Sequence, residues 1–326
     1  MKTLLITGGA GYIGSHAVKV LKDYYRVIVL DNLSTGFIEA IPDDVTFYQG
    51  STHDEDYVTS ILEKENVDAV MHFAAFSLVG ESVTNPLKYY HNNIEGTRVL
   101  LSAMQKAHVN AFIFSSTAAV YGIQKVMPIS EDAALMPVNP YGITKKTIED
   151  MLKDLHQSDP NFNYVSLRYF NVAGSSFDGS IGENHNPETH LIPNLIKAAF
   201  NKQACYIFGD DYTTFDGSAI RDYIHVIDLV DAHHKALNYV IENQESNVFN
   251  LGSSKGYSVF EVVSAVEKTL KLKLNTVVKE RRKGDPEKLV ASYKKAKEIL
   301  NWEPKHDVFT MVETAALYES KKHDVK

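Results

Sequence analysis

Short apolar segments alternate with longer amphipathic segments through the first half of the chain. The apolar segments, rich in Val, Ile, Leu and Phe, are residues 3–7, 26–30, 45–48, 69–73, 111–115 and 164–167. Runs of this kind are typical of strands buried on both faces of a sheet. The amphipathic segments with helical spacing are residues 15–22, 57–65, 92–107 and 141–156. The alternation predicts an α/β fold with a Rossmann-type, doubly wound parallel sheet.

The pattern changes after about residue 170, where a stretch rich in Gly, Ser and Asn at residues 174–186 precedes shorter predicted strands and helices. The chain has 326 residues, which at roughly 150 residues per domain fits two domains, or one domain with an added lobe. We therefore predict a Rossmann-type domain at residues 1–170 and a smaller C-terminal lobe at residues 171–326, parts of which return to the sheet.

Composition and charge narrow the class of protein and of partner. Hydrophobic residues make up 44% of the chain and charged residues 23%, a balance typical of a folded globular protein. Asp and Glu number 41 against 33 Lys and Arg, so the net charge of −8 repels nucleic acid. We expect no nucleic-acid partner, and we expect any anionic ligand to need a local cluster of basic side chains.

Cysteine content and the apolar pattern indicate the compartment. Cys205 is the only cysteine, so the chain forms no internal disulfide and no cysteine-based metal site. No apolar run approaches the ~18 residues of a membrane helix, and the N-terminal residues lack the pattern of a signal peptide. The neighbouring His233 and His234 point in different directions on a predicted helix, which disfavours a shared metal ion. We therefore expect a cytoplasmic protein with neither a metal site nor a membrane partner.

Three glycines, Gly8, Gly11 and Gly14, lie between the first predicted strand and the first predicted helix. Glycines at this place permit a tight turn and let backbone amides approach a pyrophosphate, whose negative charge then meets the helix N-terminus. Asp31 directly follows the second predicted strand. A carboxylate there accepts hydrogen bonds from an adenosine ribose and repels a 2′-phosphate, which predicts NAD rather than NADP.

Tyr141 and Lys145 are four residues apart on a helix that Pro140 is suited to begin, so both side chains lie on one face. The pKa of a free phenol is ~10. For a phenol to act as a general base near pH 7, its pKa must be lowered by about three units, which corresponds to roughly 4 kcal/mol. An ammonium at ~5 Å supplies about 3 kcal/mol at an effective dielectric constant near 20, and a cationic nicotinamide would supply the rest. The hydroxyls of Ser115 and Thr117 lie at the end of a predicted strand, where open α/β sheets bind ligands.

These residues belong to a longer series of motifs that covers nearly the whole chain. The further segments are residues 31–33, 72–75, 79–83, 92–93, 116–122, 168–171 and 221–226. The series resembles the extended short-chain dehydrogenase/reductase family of nucleotide-sugar enzymes, and within it the branch that epimerises carbon 4 of UDP-hexoses. The resemblance implies an isomerase of galactose metabolism that interconverts UDP-glucose and UDP-galactose through a 4-keto intermediate, with NAD regenerated in each cycle.

The same resemblance implies roles for individual residues. Tyr141 would be the general base, Lys145 would lower its pKa and hold the nicotinamide ribose, and Thr117 would help to transfer the proton of the sugar's 4-hydroxyl. The implied NAD-binding residues are Gly8, Gly11, Tyr12, Ile13, Gly14, Asp31, Asn32, Leu33, Ser34, Thr35, Gly36, Ser51, Thr52, Phe73, Ala74, Ala75, Phe76, Ser77, Asn93, Ser115, Tyr141, Lys145 and Phe170. The implied substrate-binding residues are Thr117, Tyr141, Asn171, His190, Leu191, Tyr206, Ile207, Phe208, Arg221, Arg282, Asp285 and Leu289.

Several positions depart from the pattern of some family members. Ser51 and Thr52 stand where an acidic residue often binds the adenine amine, Ser77 where some members have lysine, and His190 where some have an amide. Leu289 occupies a position at which some epimerases place a tyrosine against carbon 2 of the sugar. A smaller side chain leaves more room there, so we expect UDP-N-acetylhexosamines to be accepted as well.

Two alternatives remain beside this hypothesis. The first is a different nucleotide-sugar 4-epimerase, acting on UDP-GlcNAc and UDP-GalNAc, on UDP-glucuronate or on UDP-pentoses. The second is a non-catalytic NAD-binding regulator, which the intact Tyr141, Lys145 and Thr117 disfavour. Dehydratases of the family need an acid/base pair beside the catalytic threonine, and Ala118 and Ala119 occupy those positions. The resemblance also implies a homodimer, in which the helices at residues 92–107 and 141–156 pair in a four-helix bundle.

Overall fold

The computed structural model describes residues 1–185, 187–281 and 285–324, with the side chains of residues 323–324 left out. The strands are β1 Thr3–Thr7, β2 Arg26–Asp31, β3 Thr46–Gln49, β4 Ala69–His72, β5 Ala111–Thr117, β6 Asn163–Tyr169, β7 Asn171–Ala173, β8 Ala204–Phe208, β9 Ile220–Arg221, β10 Tyr223–His225, β11 Asn247–Leu251, β12 Tyr257–Ser258, β13 Asn275–Lys279 and β14 Lys288–Leu289. The α-helices are α1 Tyr12–Leu21, α2 Glu55–Lys64, α3 Val79–Thr84, α4 Pro86–Tyr89, α5 Gly96–Lys106, α6 Pro140–Ser158, α7 Leu191–Asn201, α8 Val226–Asn243, α9 Val259–Leu270, α10 Lys294–Leu300 and α11 Val308–Asp324.

Seven strands form one sheet in the order β11-β6-β5-β4-β1-β2-β3. Every neighbouring pair is parallel. The connections between successive strands of the sheet contain α-helices that cross over its faces, except the one from β2 to β3, which has only a short 3-10 turn at Ile38–Ala40. The strand order reverses between β1 and β4, and the crevice at such a reversal is where doubly wound folds bind their ligands. The predicted Rossmann-type α/β fold is confirmed.

Alternate side chains of the strands supply two cores, one on each face of the sheet. Ile6, Val29 and Phe249 belong to the core that also receives side chains from α1 and α8. Leu5 and Phe112 belong to the opposite core, against α2, α5 and α6. Burial on both faces explains why these strands have continuous apolar sequences.

The second half of the chain contributes to the sheet and also builds a lobe beyond it. Strand β11 is the edge partner of β6, and α8 packs on the first core. Helices α7, α9 and α11 surround a separate core with the paired strands β8 and β13. Short pairings of β9 with β12 and with β14 place this lobe over the carboxyl ends of the main strands. Within the described residues, no helix is long and apolar enough to cross a membrane.

Several of the predicted elements differ in extent from those observed. The segment predicted as a helix at residues 92–107 begins with a π-helical turn, Tyr90–Glu95, and α5 follows it. Strands β5 and β6 extend two residues beyond their predicted ends, because residues 116–117 pair with residues 168–169 in the ladder between these strands. That pairing carries Thr117 to the rim of the sheet.

Candidate active site

A cavity of about 700 Å³ lies at the carboxyl ends of β1, β4, β5 and β6, between the sheet and the lobe. Residues from the sheet line one side, including Gly11, Tyr141 and Lys145, and residues from the lobe, including Arg221 and Asp285, line the other. This volume lies within the range of about 300–1,000 Å³ that is usual for small-molecule and cofactor sites. The cavity therefore joins residues that are more than 250 positions apart in the sequence.

The glycine turn forms one end of the cavity, and its geometry excludes side chains. Gly8 has a positive φ of 72°, and a Cβ on Gly14 would lie 2.1 Å from the carbonyl oxygen of Gly8. Gly11 is the N-cap of α1, and in the described part of the chain no side chain caps that first turn. The backbone N–H groups at the start of α1 are therefore available to a pyrophosphate, which fits the binding of a dinucleotide.

Asp31 lies at the end of β2 and orders the loops around it. Its Oδ2 accepts a hydrogen bond of 3.0 Å from the N–H of Ala10, and its Oδ1 accepts one of 2.8 Å from the N–H of Leu33. Leu33 is held at a φ of 57°, and its side chain packs against the core instead of lining the cavity. Each carboxylate oxygen can accept a second hydrogen bond, so the predicted contact with a ribose is compatible with this arrangement.

Asn93 is placed behind the cavity wall, and its amide is occupied by the protein. Its Oδ1 accepts a 2.9 Å hydrogen bond from the N–H of Phe76, and its Nδ2 donates to the carbonyl of Phe76 and to the hydroxyl of Thr144. The π-helical turn thus fastens the loop after β4 to α6. Residues 73–77 of that loop line the cavity, whereas Asn93 does not. Through these bonds Asn93 positions the loop, and its contact with NAD stays a prediction.

Tyr141, Lys145 and Thr117 converge where α6 begins beside the end of β5. Asn139 caps α6 through a 2.8 Å hydrogen bond to the N–H of Gly142, and this cap fixes the start of the helix. The ammonium of Lys145 donates a 2.8 Å hydrogen bond to the carbonyl of Ser115 and lies 4.8 Å from the centre of the Phe114 ring. Tyr141 and Thr117 both line the cavity, and an interaction with the Thr117 side chain opposes the effect of burial on the pKa of the Tyr141 phenol.

Burial dominates the ionisation of these groups in the protein alone. It raises the pKa of Tyr141 to about 12, against a smaller lowering by the hydrogen bond from Thr117. Burial also lowers the pKa of Lys145 to about 7, against a smaller raising by the carboxylate of Glu149. In the protein alone, burial outweighs these opposing contributions because both groups lose their solvation together, and the lowering of the Tyr141 pKa by Lys145 in the site with NAD bound stays a prediction.

A buried ion pair behind the site was not recognised in the sequence. Glu149, one turn after Lys145 on α6, accepts hydrogen bonds of 2.9 and 2.5 Å from the guanidinium of Arg168 on β6. The hydroxyl of Ser116 donates to the same carboxylate at 2.5 Å, and Arg168 donates to the hydroxyl of Tyr121 at 2.9 Å. The spacing of Lys145 and Glu149 on one helix face could have drawn attention to Glu149. Its ion-pair partner Arg168, however, is brought to it only by the packing of α6 on the sheet.

The substrate end of the cavity is formed by the lobe. Arg221 on β9 lies 3.5 Å from the carboxylate of Asp285, and Leu289 stands opposite Arg221 in the pairing of β9 with β14. Asn171 donates a 2.9 Å hydrogen bond to the carbonyl of Asp222. Arg221, Asp285, Leu289 and Asn171 all line the cavity. The predicted diphosphate-binding Arg282 lies outside the described residues.

Some predicted ligand residues do not reach the cavity. Ile207 is 1% exposed and packs in the core of the lobe, so its side chain cannot flank a uracil as predicted. Its neighbours Tyr206 and Phe208 are exposed on the same strand, but they do not line the cavity, and neither do Leu191 and Gly36. The remaining predicted residues within the described ranges, Leu33 and Asn93 apart, line the cavity.

His190 and its neighbour His185 also line the cavity, on the loop between β7 and α7. The Nδ1 atom of His185 lies 3.0 Å from the carboxylate of Glu183, which also hydrogen-bonds to Nδ1 of His190. Burial lowers the pKa of His185, but the carboxylates of Glu183 and Glu188 outweigh it and raise that pKa to about 9. His190 is thus tied to carboxylates, an arrangement that the sequence analysis did not foresee.

Comparisons with known proteins give the site its context. A family model described as "NAD dependent epimerase/dehydratase family" matches residues 4–252. The chain is 50% identical over 325 residues to a UDP-glucose 4-epimerase from Lactobacillus helveticus, covering 99% of this chain and 98% of that protein.

Two solved structures are similar over nearly their whole length. One is a UDP-glucose 4-epimerase from Bifidobacterium longum in complex with NAD+ and UDP, with a TM-score of 0.92, 36% identity and 99% of both chains covered. The other is a UDP-Glc/GlcNAc 4-epimerase from Campylobacter jejuni, with a TM-score of 0.86, 42% identity, and 98% of this chain and 100% of that chain covered.

Proposed function

The chain belongs to the NAD-dependent epimerase/dehydratase family, and from that premise we propose that it interconverts UDP-glucose and UDP-galactose by epimerisation at carbon 4 of the sugar. The observation that carries this function is the single cavity that joins the glycine turn, Tyr141 with Thr117, and Arg221. Ala118 and Ala119 line the same cavity beside Thr117, where an elimination reaction would need an acid and a base. The site is therefore equipped for oxidation and reduction of a sugar hydroxyl and lacks a pair for loss of water.

NAD is the cofactor, and when it is bound it accepts the hydride from carbon 4 and returns it to the opposite face. The described residues fit it: the bare first turn of α1 suits the pyrophosphate, Asp31 suits the adenosine ribose, and Lys145 stands beside Tyr141 at the other end of the groove. We propose the NAD-binding residues that line the cavity as its contacts, with Leu33, Gly36 and Asn93 shaping the loops behind them.

Tyr141 and Thr117 hold the proton of the reacting hydroxyl. Both side chains line the cavity, so a sugar bound there can pass the proton of its 4-hydroxyl through Thr117 to the phenol oxygen of Tyr141. Lys145, whose pKa is about 7, adds positive charge beside this path when it is protonated. In the protein alone, the Tyr141 phenol stays neutral. Any further positive charge at the mouth of the cavity favours its ionised form, the phenolate.

The decisive experiment follows UDP-glucose formation from UDP-galactose by purified protein, first without added NAD and then with it. We expect conversion in both cases if the protein retains its cofactor, and only with NAD if purification removes it. Mixing the protein with UDP-glucuronate and UDP-xylose under the same conditions separates the main proposal from the alternative epimerases. No conversion of UDP-galactose with or without NAD refutes the proposal.

We also propose that UDP-N-acetylhexosamines are substrates. Leu289 lines the cavity and packs against the cluster of Val120, Tyr121 and Ile129, so its side chain borders the space for the sugar. The similarity to a UDP-Glc/GlcNAc 4-epimerase supports this wider range. Leu289→Tyr should reduce turnover of UDP-GlcNAc at least tenfold more than turnover of UDP-galactose, because the ring fills the space needed by the acetamido group.

Leu289→Met is the matched control, since it nearly conserves volume and should leave the ratio of the two activities unchanged. Undetectable turnover of UDP-GlcNAc by the unaltered protein, under conditions in which UDP-galactose reacts readily, contradicts the wider range.

We propose that NAD binding belongs to residues 1–170 and substrate binding to residues 171–326, with α8 and β11 returning to the sheet. This division is supported by the cavity, whose glycine turn and Tyr141 come from the first part and whose Arg221 and Asp285 come from the second. Cofactor and substrate would then meet at the boundary, beside Phe170 and Asn171.

We propose a homodimer that pairs α5 and α6 of the two copies. Near these helices, Leu87 on α4 is 77% exposed and Val83 on α3 is 61% exposed, and both short helices pack against α6. An apolar surface of this kind is typical of an interface between copies. Light scattering at several protein concentrations should give twice the mass of one chain, and a single-chain mass throughout would contradict the dimer.

We also propose a cytoplasmic location. Cys205 is a free, buried thiol, and such a thiol is stable in a reducing compartment. Fractionation of the source cells should place the activity with the other cytosolic enzymes.

A further inference from the structure

Four side chains that offer metal ligands meet on the loop between β7 and α7. They are Glu183, His185, Glu188 and His190, and one ligand atom from each lies within 4.8 Å of the other three. The loop thus presents two carboxylates and two imidazoles to a common centre. The expectation of no metal site rested on Cys205 and on the pair His233 and His234, none of which belongs to this cluster.

Three of the distances within the cluster are close to those of a tetrahedral site, whereas Nδ1 of His190 and the carboxylate of Glu183 are in direct hydrogen-bond contact and must move apart to hold an ion between them. Nδ1 of His185 lies 3.0 Å from Glu183 and 3.8 Å from Glu188, and Nδ1 of His190 lies 3.7 Å from Glu188. In a tetrahedron with metal–ligand bonds of about 2.1 Å, neighbouring ligand atoms are about 3.4 Å apart. Small rotations of the side chains would therefore complete the geometry.

The carboxylates are buried and supported, as metal ligands commonly are. The side chains of Glu183 and Glu188 are 4% and 6% exposed. Glu188 Oε1 accepts hydrogen bonds of 2.9 and 3.0 Å from the N–H groups of Thr189 and His190, and Oε2 lies 3.3 Å from the ammonium of Lys197. Such outer partners orient a ligating carboxylate.

From this geometry we propose that Glu183, His185, Glu188 and His190 bind one divalent transition-metal ion, with Zn²⁺ as the representative. Mixed imidazole and carboxylate ligands suit zinc, whereas magnesium and calcium prefer oxygen ligands alone. The two buried carboxylates balance the charge of such an ion when both imidazoles are neutral. The alternative is a network of ion pairs between protonated histidines and the carboxylates.

The position of the cluster gives the ion a bracing role. His185 and His190 line the active-site cavity, and the Tyr12 ring of the glycine turn meets the His185 ring edge-on, with centroids 6.3 Å apart. The hydroxyl of Tyr12 donates a 2.6 Å hydrogen bond to the carbonyl of Gly174 at the start of the same loop. An ion here would hold the loop against the glycine turn and against α7.

The test measures zinc in the full-length protein, and it does not depend on the reaction proposed above. Protein purified without chelators, and protein treated with EDTA and then titrated with ZnCl₂ alone, should each hold about one zinc per chain. Zinc should raise the Tm of the treated protein by a few degrees. His185→Gln and His190→Gln should each weaken zinc binding at least tenfold and abolish the shift in Tm.

His108→Asn is the matched control. His108 is exposed in the turn that follows α5, so this substitution should leave zinc binding unchanged. His190→Gln keeps the test interpretable if the more buried His185→Gln fails to fold. Absence of saturable zinc binding, or equal binding by the variants and the unaltered protein, overturns the site in favour of ion pairs. Zinc binding without any effect on Tm overturns the bracing role.

Discussion

At the scale of single residues, the same loss of solvent shifts the pKa values of Tyr141 and Lys145. Burial raises the pKa of the phenol to about 12 and lowers that of the ammonium to about 7, so each favours its neutral form. A phenol of pKa 12 is ionised to only about 0.001% at pH 7, too little for a free general base. Its activation therefore depends on positive charge brought next to it and on the short proton path through Thr117.

The first prediction concerns this phenol. Tyr141→Phe should lower turnover of UDP-galactose by about 10²–10⁴-fold, the usual contribution of a general acid or base, while NAD remains bound. The measurement combines the epimerase assay with the NAD content of the denatured protein.

Tyr164→Phe serves as the matched control, since it removes a phenol hydroxyl from β6 at a position outside the cavity. It should retain turnover. A Tyr141→Phe protein with near-normal turnover would remove Tyr141 from the proton path.

At the scale of elements, His72 links three of them at the ligand-binding edge of the sheet. At the end of β4, its Nδ1 lies 2.6 Å from the hydroxyl of Thr7 on β1, and its Nε2 lies 3.0 Å from the hydroxyl of Thr97 on α5. Burial, with a smaller contribution from Lys145, lowers the pKa of His72 to about 3. The neutral imidazole is therefore part of the packing between β1, β4 and α5.

The second prediction follows from proton linkage at His72. The unfolded chain binds a proton there near pH 6.5, and the folded chain does so only near pH 3. The stability that His72 contributes is thus present above about pH 6.5 and is lost as the pH falls from 6.5 towards 3. His72→Gln, which cannot titrate, should be less stable at pH 7, and the difference should shrink by about 2 kcal/mol at pH 5.

Urea unfolding at pH 7 and at pH 5, with the same NAD concentration, measures both differences. The exposed His108→Gln should show no such narrowing. A constant difference between His72→Gln and the unaltered protein at the two pH values would mean that His72 is not held neutral.

At the scale of the whole molecule, the cavity lies between the sheet and the lobe. A ligand bound there contacts both parts and therefore stabilises both against unfolding. Gly11 and Arg221 face this cavity from opposite sides. A ligand present at 100 times its Kd stabilises the folded protein by about 2.7 kcal/mol, provided that it does not bind the unfolded chain. Cofactor and substrate should therefore stabilise the two parts jointly.

The third prediction is that removal of NAD lowers the Tm by several degrees and that added NAD restores it. UDP added alone should raise the Tm by a smaller amount, because it occupies the lobe side of the cavity. Scanning fluorimetry at fixed pH measures both shifts, and an unchanged Tm with and without NAD contradicts the prediction.

Local patterns were sufficient for the sheet, the glycine turn and the acid at the end of β2. Burial on both faces demands continuous apolar strands, and a pyrophosphate turn demands glycine at fixed spacing, so both appear in adjacent residues. For the same reason, Pro140 marked the start of α6. These features depend only on residues that are close together in the sequence, so they can be recognised without the structure.

The side chains that tertiary packing orients were less predictable. Ile207 was expected at the ligand but faces the core of the lobe, because a strand alternates its faces and the sequence did not show which face was inward. Asn93 was expected to touch NAD, but folding brings Phe76 and Thr144 to its amide. The ionisation of Tyr141 also followed burial, which depends on every element around the cavity.

By itself, the sequence determined the parallel α/β fold and the use of NAD, because each rests on short-range spacing. The tertiary structure alone decided which distant residues meet: Glu149 with Arg168, Arg221 with Asp285, and the histidines of the loop before α7 with two buried carboxylates. Those contacts depend on where whole elements pack, and no local spacing encodes that.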